Sequence, residues 1–349
     1  MQEKSSEAGQ VNDKQRSICF FGEPLLELGC DTFDMLSAKV AGDVFNTAVY
    51  LKRLQLFSKN TGRAGLFTCV GDDPLSQKLL TACAQHNIDK RWVYQEKSRT
   101  IGRYAVSLDD KGERSFRYWR NDSAARTLFS RVSESVAEEI AQSYEYFYFS
   151  GISLAVVENH LRDQMWQFFH SLKSKGVKLV FDTNYRAALW SDAKQAKAEF
   201  EKAFNLVELA FVGVEDCQPL FDFNYGSAQG LISIASQFNC PNLVIKNGDK
   251  PVLYRGRHGE LSVSLKPAPK VIDTTAAGDS FNSGFLFGWL SDAPVADCIR
   301  LGAETAAIVI QHLGAIIDDK LFLTGIEPVI YALKMAGEQN NERLLMPAL

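Results

Sequence analysis

With 349 residues, 46% of them hydrophobic, the chain can bury one large α/β domain or two smaller ones, which argues against a globally disordered protein. A formal net charge of −4 gives no general attraction for nucleic acid or acidic membranes. No uninterrupted apolar run approaches the roughly 20 residues that a membrane-spanning helix requires.

In chain order, residues 1–16 are polar and mixed in charge, lack the apolar core of a secretory signal, and read as a flexible tail. SICFFG reads as a first strand, the segment Glu23 to Ala41 interrupts the pattern, and LFTCVG reads as the next strand. Asp72, Asp73 and Pro74 stand before LSQKLLTACAQH as a cap and a first-turn proline, so these acids are assigned to structure. Within residues 99–122, IGRYAVSLDDKGERSFRYW reads as strand, turn and strand around Asp110, Lys111 and Gly112. Alone it is an ordinary edge hairpin. Together with residues 23–41 it can form a small sheet that covers a crevice and excludes water.

YEYFYFSG, VKLVFDTN, LAFVGV and NLVIKNG are further strand-like runs separated by stretches of helical composition. The alternation predicts a mostly parallel sheet covered by helices, with its ligand crevice at the carboxyl edge of the strands. PKVI reads as a short strand end before DTTAAGDSFNSGF, and Asp292 and Pro294 announce a helix through VADCIRLGAETAAIVIQ. No repeat or low-complexity linker divides the chain. The expected organisation is one domain over residues 17–335 with inserted lid segments, and a second tail over 336–349.

The seven cysteines are scattered, odd in number and without a CxxC pair, which suits reduced thiols in the cytoplasm. The five histidines lack metal-binding spacing.

DTTAAGDSFNSGF, from Asp273 to Phe285, carries the chemistry. Phe281, Phe285 and Trp289 recur every four residues, so the small residues before them sit at the mouth of a helix. The amides of Ala276, Ala277 and Gly278 form an anion site there, favoured by helix polarity. Asp279 beside that site either caps the helix or accepts a proton from an attacking hydroxyl. An early GxGxxG turn after the first strand, the mark of a dinucleotide fold, is missing.

Over roughly residues 16–320 the chain resembles the ribokinase-like, phosphofructokinase B type carbohydrate kinases, through DTTAAGDSFNSGF and the earlier AGDVFNTAVYLKRL. Where that family commonly has GAGD, Ala276 replaces the first glycine. GEPLLEL, GERSFRYWRND, YFSGISLA and FDTNYRAALW resemble, within it, the subgroup acting on a keto sugar acid.

The resemblance implies a three-layer sandwich with a mostly parallel central sheet and a small β lid. It also implies transfer of the ATP γ-phosphate to the terminal hydroxyl of 2-keto-3-deoxy-D-gluconate. Asp279 would be the base, the amides of Ala276, Ala277 and Gly278 would hold the phosphoryl group, and Mg²⁺ would neutralise nucleotide charge. The metal's ligands are not legible, because Mg²⁺ keeps waters and borrows phosphate oxygens.

Gly42, Asp43 and Asn46 would approach the acidic keto sugar. Arg120 and Arg186 would bind its carboxylate, and Tyr104 and Tyr118 would cover it or pack. Lys246, Asn247 and Gly248 resemble the nucleotide-side loop, although a lysine after a strand is often merely solvated. Asp182 and Asn184 either organise Arg186 or a hydrated Mg²⁺ or make a turn, and Asn282 is expected to pack or bind locally rather than to catalyse. A homo-oligomer formed through the lid is compatible with the resemblance. A kinase of fructose, ribose or another keto acid, and a catalytically silent sugar sensor, are the alternatives.

Overall fold

The computed structural model describes residues 16–32, 35–59, 62–108, 114–221 and 237–344. In chain order its strands are β1 (Ile18–Phe21), β2 (Leu25–Thr32), β3 (Met35–Ala41), β4 (Ala64–Gly71), β5 (Asp89–Glu96), β6 (Gly102–Leu108) and β7 (Arg114–Trp119). These are followed by β8 (Tyr146–Ser150), β9 (Lys178–Asp182), β10 (Leu209–Gly213), β11 (Asn242–Lys246), β12 (Val252–Gly256) and β13 (Gly259–Val263).

Nine strands make one sheet in the order β13-β12-β11-β10-β9-β8-β1-β4-β5. From β11 to β5 every pairing is parallel, while β12 and β13 add an antiparallel edge. The six strand-like runs of the sequence all fall in its parallel part.

A parallel sheet is covered on both faces, so its strands are apolar throughout rather than alternating with polar residues. SICFFG shows why. Ile18 and Phe20 point into one core, with Val180, Phe211 and Phe285, while Cys19 and Phe21 point into the other, with Phe67, Phe147 and Phe181. Helices Asp43–Phe57, Pro74–Gln85, Ala277–Trp289 and Val295–Val309 supply the first helical layer. Helices Glu134–Ser143, Arg162–Ser174 and Ala193–Leu206 supply the second, which completes the three-layer sandwich.

The expected lid is a separate four-stranded sheet ordered β3-β2-β6-β7, with β2 and β6 parallel and the outer pairs antiparallel. The turn expected at Asp110, Lys111 and Gly112 lies outside the described residues. The lid's root packs Leu25, Ala41 and Tyr104 against Ala315 and Ala276, so it closes over the mouth of helix Ala277–Trp289.

Asp73 caps helix Pro74–Gln85 through the amides of Leu75 and Ser76, as its sequence requires. The strand expected at PKVI is absent. Val271 and Ile272 are exposed, and the amides of Ile272 and Asp273 both donate to the carbonyl of Ile310 at 2.8 and 3.1 Å. Two amides on one carbonyl anchor a loop to the end of helix Val295–Val309; they do not build a ladder.

Candidate active site

The carboxyl ends of β1, β8, β9, β10 and β11 meet the amino ends of helices Asp43–Phe57 and Ala277–Trp289. This convergence gathers residues scattered over more than half of the chain. The first helix begins at Gly42, whose φ of 118° suits glycine and where a Cβ would lie 2.8 Å from the Glu23 carbonyl oxygen.

The turn into the second helix is held from below by Asp273. Its Oδ1 accepts from the Thr275 amide (3.0 Å) and hydroxyl (2.7 Å), and its Oδ2 accepts from the Gly314 amide at 2.7 Å. Tyr50 in turn fixes the loop beyond Gly314, because its Oη donates to the Ala315 carbonyl and accepts from the Ile317 amide. Ala276 adopts φ 61° and ψ 17°, the left-handed region, so its replacement of a glycine places a Cβ in strained backbone.

The Ala277 amide donates within the turn to Thr274 at 3.1 Å, and the helical ladder starts with the Ser280 amide on the Ala276 carbonyl. Among the described residues no protein acceptor takes the amides of Gly278 or Asp279. A Cβ on Gly278 would lie 3.7 Å from Lys246 Nζ, so an ammonium stands beside this turn. An anion lodged there would meet two open N–H groups, the positive end of a helix and a lysine.

Asp279 is buried, with Oδ2 accepting from Asn46 Nδ2 at 2.8 Å. Burial, and then the charge of Asp43, push its carboxyl up to about 8 against the Asn46 hydrogen bond. Burial also raises Asp43, whose Oδ2 accepts from the Ser150 hydroxyl (2.5 Å) and Asn184 Nδ2 (3.2 Å). Lys246 Nζ is 3.3 Å from Asp182 Oδ1 and donates to Asn282 Oδ1 at 2.8 Å, and Asn282 Nδ2 donates to the Tyr148 hydroxyl. Asn282 therefore orients the lysine as well as packing.

Asp216 is a carboxylate that sequence reading missed. Burial, and then the charge of Asp182, push it up to about 6, and it accepts from the Thr183 hydroxyl at 3.0 Å. Its only signal was its place just after LAFVGV, at the carboxyl edge of the sheet.

The lid side is less uniform than its sequence. Tyr104 is buried with its hydroxyl 2.5 Å from Glu27 Oε2, whereas Tyr118 is half exposed with its ring 5.5 Å away. Arg120 is buried against Glu23, a residue the sequence had not singled out. Arg186 is exposed and reaches Asp216 only at 3.5 Å. Asn247 and Gly248 form the turn after β11, with the Asn247 carbonyl accepting from Lys250 and Gly248 at φ 57°.

A crevice that joins a buried carboxylate to an anion turn beneath a β lid is built for moving phosphate onto a hydroxyl. Residues 32–320 match the family model described as pfkB family carbohydrate kinase, and the chain belongs to that family. It is 33% identical over 305 residues to the 2-dehydro-3-deoxygluconokinase of Haemophilus influenzae, a match spanning 87% of this chain and 96% of that protein. The Escherichia coli K12 protein of the same name is 32% identical over 306 residues, spanning 86% of this chain and 97% of its own length.

Among solved structures, the chain is similar to Xylella fastidiosa fructokinase with bound ATP. The TM-score is 0.74 at 19% identity, covering 90% of this chain and 99% of that one. It is also similar to Salmonella enterica aminoimidazole riboside kinase complexed with aminoimidazole riboside and an ATP analog, with a TM-score of 0.70 at 21% identity, covering 89% and 99%. At these identities the likeness carries the fold.

Proposed function

We propose that the chain transfers the γ-phosphate of ATP to the terminal hydroxyl of 2-keto-3-deoxy-D-gluconate, giving the 6-phosphate. The observation that carries this reading is the placement of Asp279 beside the open amides of Gly278 and Asp279, opposite Lys246. Its substrate follows from full-length similarity to proteins named 2-dehydro-3-deoxygluconokinase.

In this reading Asp279 accepts the hydroxyl proton as the oxygen attacks phosphorus, and Asn46 holds the carboxylate in line. The two amides and Lys246 stabilise charge on the transferring group, a mainly electrostatic contribution. Gly42, Asp43, Asn46, Tyr104, Tyr118, Arg120 and Arg186 are the proposed acceptor wall. Asn184, Lys246, Asn247, Gly248, Ala277 and Gly278 are the proposed nucleotide side, with Ala277 contributing backbone shape because its amide is spent on Thr274.

Among the described residues no three acids, histidines or cysteines form a metal cage. The crevice instead sets Asp182, Asp216 and Asp279 near the Lys246 ammonium, with Asp43 close enough to raise Asp279. That excess of carboxylate fits Mg²⁺, which uses one or two carboxylates with waters and phosphate oxygens, and Asp182 and Asp216 are the proposed holders. Bound there, Mg²⁺ would offset nucleotide charge.

We place this activity in one domain over residues 17–335, in the cytoplasm, where the free thiols of Cys19, Cys69, Cys83, Cys217, Cys240 and Cys298 would stay reduced. No helix of the described residues is long and apolar enough to cross a membrane. A panel of acceptors with MgATP tests the assignment. Faster phosphorylation of fructose or ribose than of 2-keto-3-deoxygluconate would reject the substrate and keep the kinase.

A further inference from the structure

Arg120 and Arg186 look equivalent in sequence, but the fold treats them differently. The Arg120 guanidinium is buried, with Nε donating to Glu23 Oε2 at 2.6 Å and Nη2 lying against the same oxygen. Glu23 is only 1% exposed, and the guanidinium also lies over the Tyr118 ring, 5.8 Å from its centroid. Arg186 is 57% exposed. Its Nη1 donates to the carbonyl of its own neighbour Tyr185, and its closest carboxylate, Asp216, is at 3.5 Å.

Burying a guanidinium is costly unless it is paired, and Glu23 offsets that cost for Arg120 in the lid root. The backbone is shaped for the pair. A Cβ on Gly102 of β6 would fall 2.6 Å from Glu23 Oε1, 2.6 Å from Leu25 Cδ2 and 3.3 Å from Arg120 Cβ, so a side chain there would press on the pair. Oε1 itself is buried without a hydrogen-bond partner. The pair also lies beside the proposed acceptor wall, because a Cβ on Gly42 would fall 2.8 Å from the Glu23 carbonyl oxygen.

We propose that Glu23 is a positioning and specificity-determining residue. It cancels the charge of Arg120 and fixes that guanidinium as a donor of no net charge, so that Arg186 alone supplies the cation selecting a carboxylate-bearing sugar. This rests on the keto-acid reading above. A paired guanidinium still donates hydrogen bonds, but a second charge approaching it feels a dipole, whose field falls off faster than that of a free cation.

The test compares kcat/KM for 2-keto-3-deoxygluconate and for its uncharged C1 carboxamide, with MgATP. Arg186→Met should cost the acid about thirtyfold or more while changing the amide less than about threefold, collapsing the acid-to-amide ratio. Arg120→Gln should lower both acceptors and, because it leaves the Glu23 carboxylate unpaired, lower the ratio by about fivefold at most, well short of Arg186→Met. Glu23→Gln should lower turnover of the amide yet raise the ratio by about fivefold, because it frees the Arg120 charge.

If the unpaired arginine prevents folding of that variant, the uncharged double variant Glu23→Gln/Arg120→Gln carries the test. It should keep the wild-type ratio. A merely structural Glu23 would lower both acceptors together and leave the ratio unmoved in Glu23→Gln. That result, or a ratio falling as far in Arg120→Gln or the double variant as in Arg186→Met, overturns the proposal. Wild-type enzyme that ignores the acid but phosphorylates a neutral sugar refutes the functional reading itself, and the inference falls with it.

Discussion

Replacing Asp279 by asparagine separates proton acceptance from every other role of that position. The shape is kept, and the amide oxygen can still accept from Asn46 Nδ2 across the present 2.8 Å. What is lost is basicity. Positioned general bases contribute about 10² to 10⁴ in rate, or about 2.7 to 5.4 kcal/mol at about 1.36 kcal/mol per decade. The pH dependence follows from the carboxyl pushed up to about 8. Below that pH the base is increasingly protonated, so wild-type kcat/KM for the acceptor should approach a tenfold fall per unit, and drop about fiftyfold from pH 8 to pH 6.

Stability should move the opposite way. The folded carboxyl holds its proton up to about 8, whereas an exposed one releases it near the ordinary value of 3.8. The folded state therefore binds more protons in that window, and wild-type stability declines as pH rises through it. Asp279→Asn has no such ionisation, so it should unfold at a higher temperature than wild type at pH 8 and at the same temperature near pH 4. A coupled assay of ADP release and a thermal melt over pH 4–9 measure both effects. A variant keeping more than a tenth of wild-type turnover, or a wild-type profile flat from pH 6 to 8, would refute Asp279 as the base.

Ala276→Gly should stabilise the protein by about 0.5–1 kcal/mol, because a left-handed alanine costs about 1–2 kcal/mol and glycine returns part of that as unfolded-chain entropy. Urea midpoints at constant slope measure it, and no gain would mean the turn has relaxed around the Cβ. Lys246→Met should raise KM for ATP about tenfold or more and shift the acceptor pH profile upward, since the ammonium opposes the rise of Asp279. A nucleotide titration showing unchanged KM would remove the lysine from the phosphate site. Tyr50→Phe should cost about 1–3 kcal/mol, because it strips partners from the Ala315 carbonyl and the Ile317 amide in the interior. A melt within a degree of wild type would show that these groups find other partners.

The parallel sheet was legible because its strands are short apolar runs with turn or polar residues after them, and burial on both faces demands that composition. PKVI misled for the same reason: two β-branched residues resemble a strand, and only the carbonyl of Ile310 reveals a loop. The turn at Asp273 to Asp279 could be read because its backbone geometry is local. Even so, the amide of Ala277 is spent on Thr274, which a list of small residues does not disclose.

Charge balance could not be read that way. Asp279, Asp43, Asp182 and Asp216 come from four separate segments, and the carboxyls of Asp279, Asp43 and Asp216 are raised by burial and by the charge of neighbouring carboxylates. Arg120 and Arg186 are the same residue type in comparable motifs, yet one meets Glu23 in the interior and the other meets solvent.

The amino-acid sequence by itself determined the layered α/β body, the lid and the anion turn with its acid, because hydrophobic period and backbone conformation are properties of neighbouring residues. Only the tertiary structure decided which carboxylate is raised, which amides stay open and which arginine is paired in the interior. Desolvation and Coulomb interaction depend on distances between residues far apart in the chain.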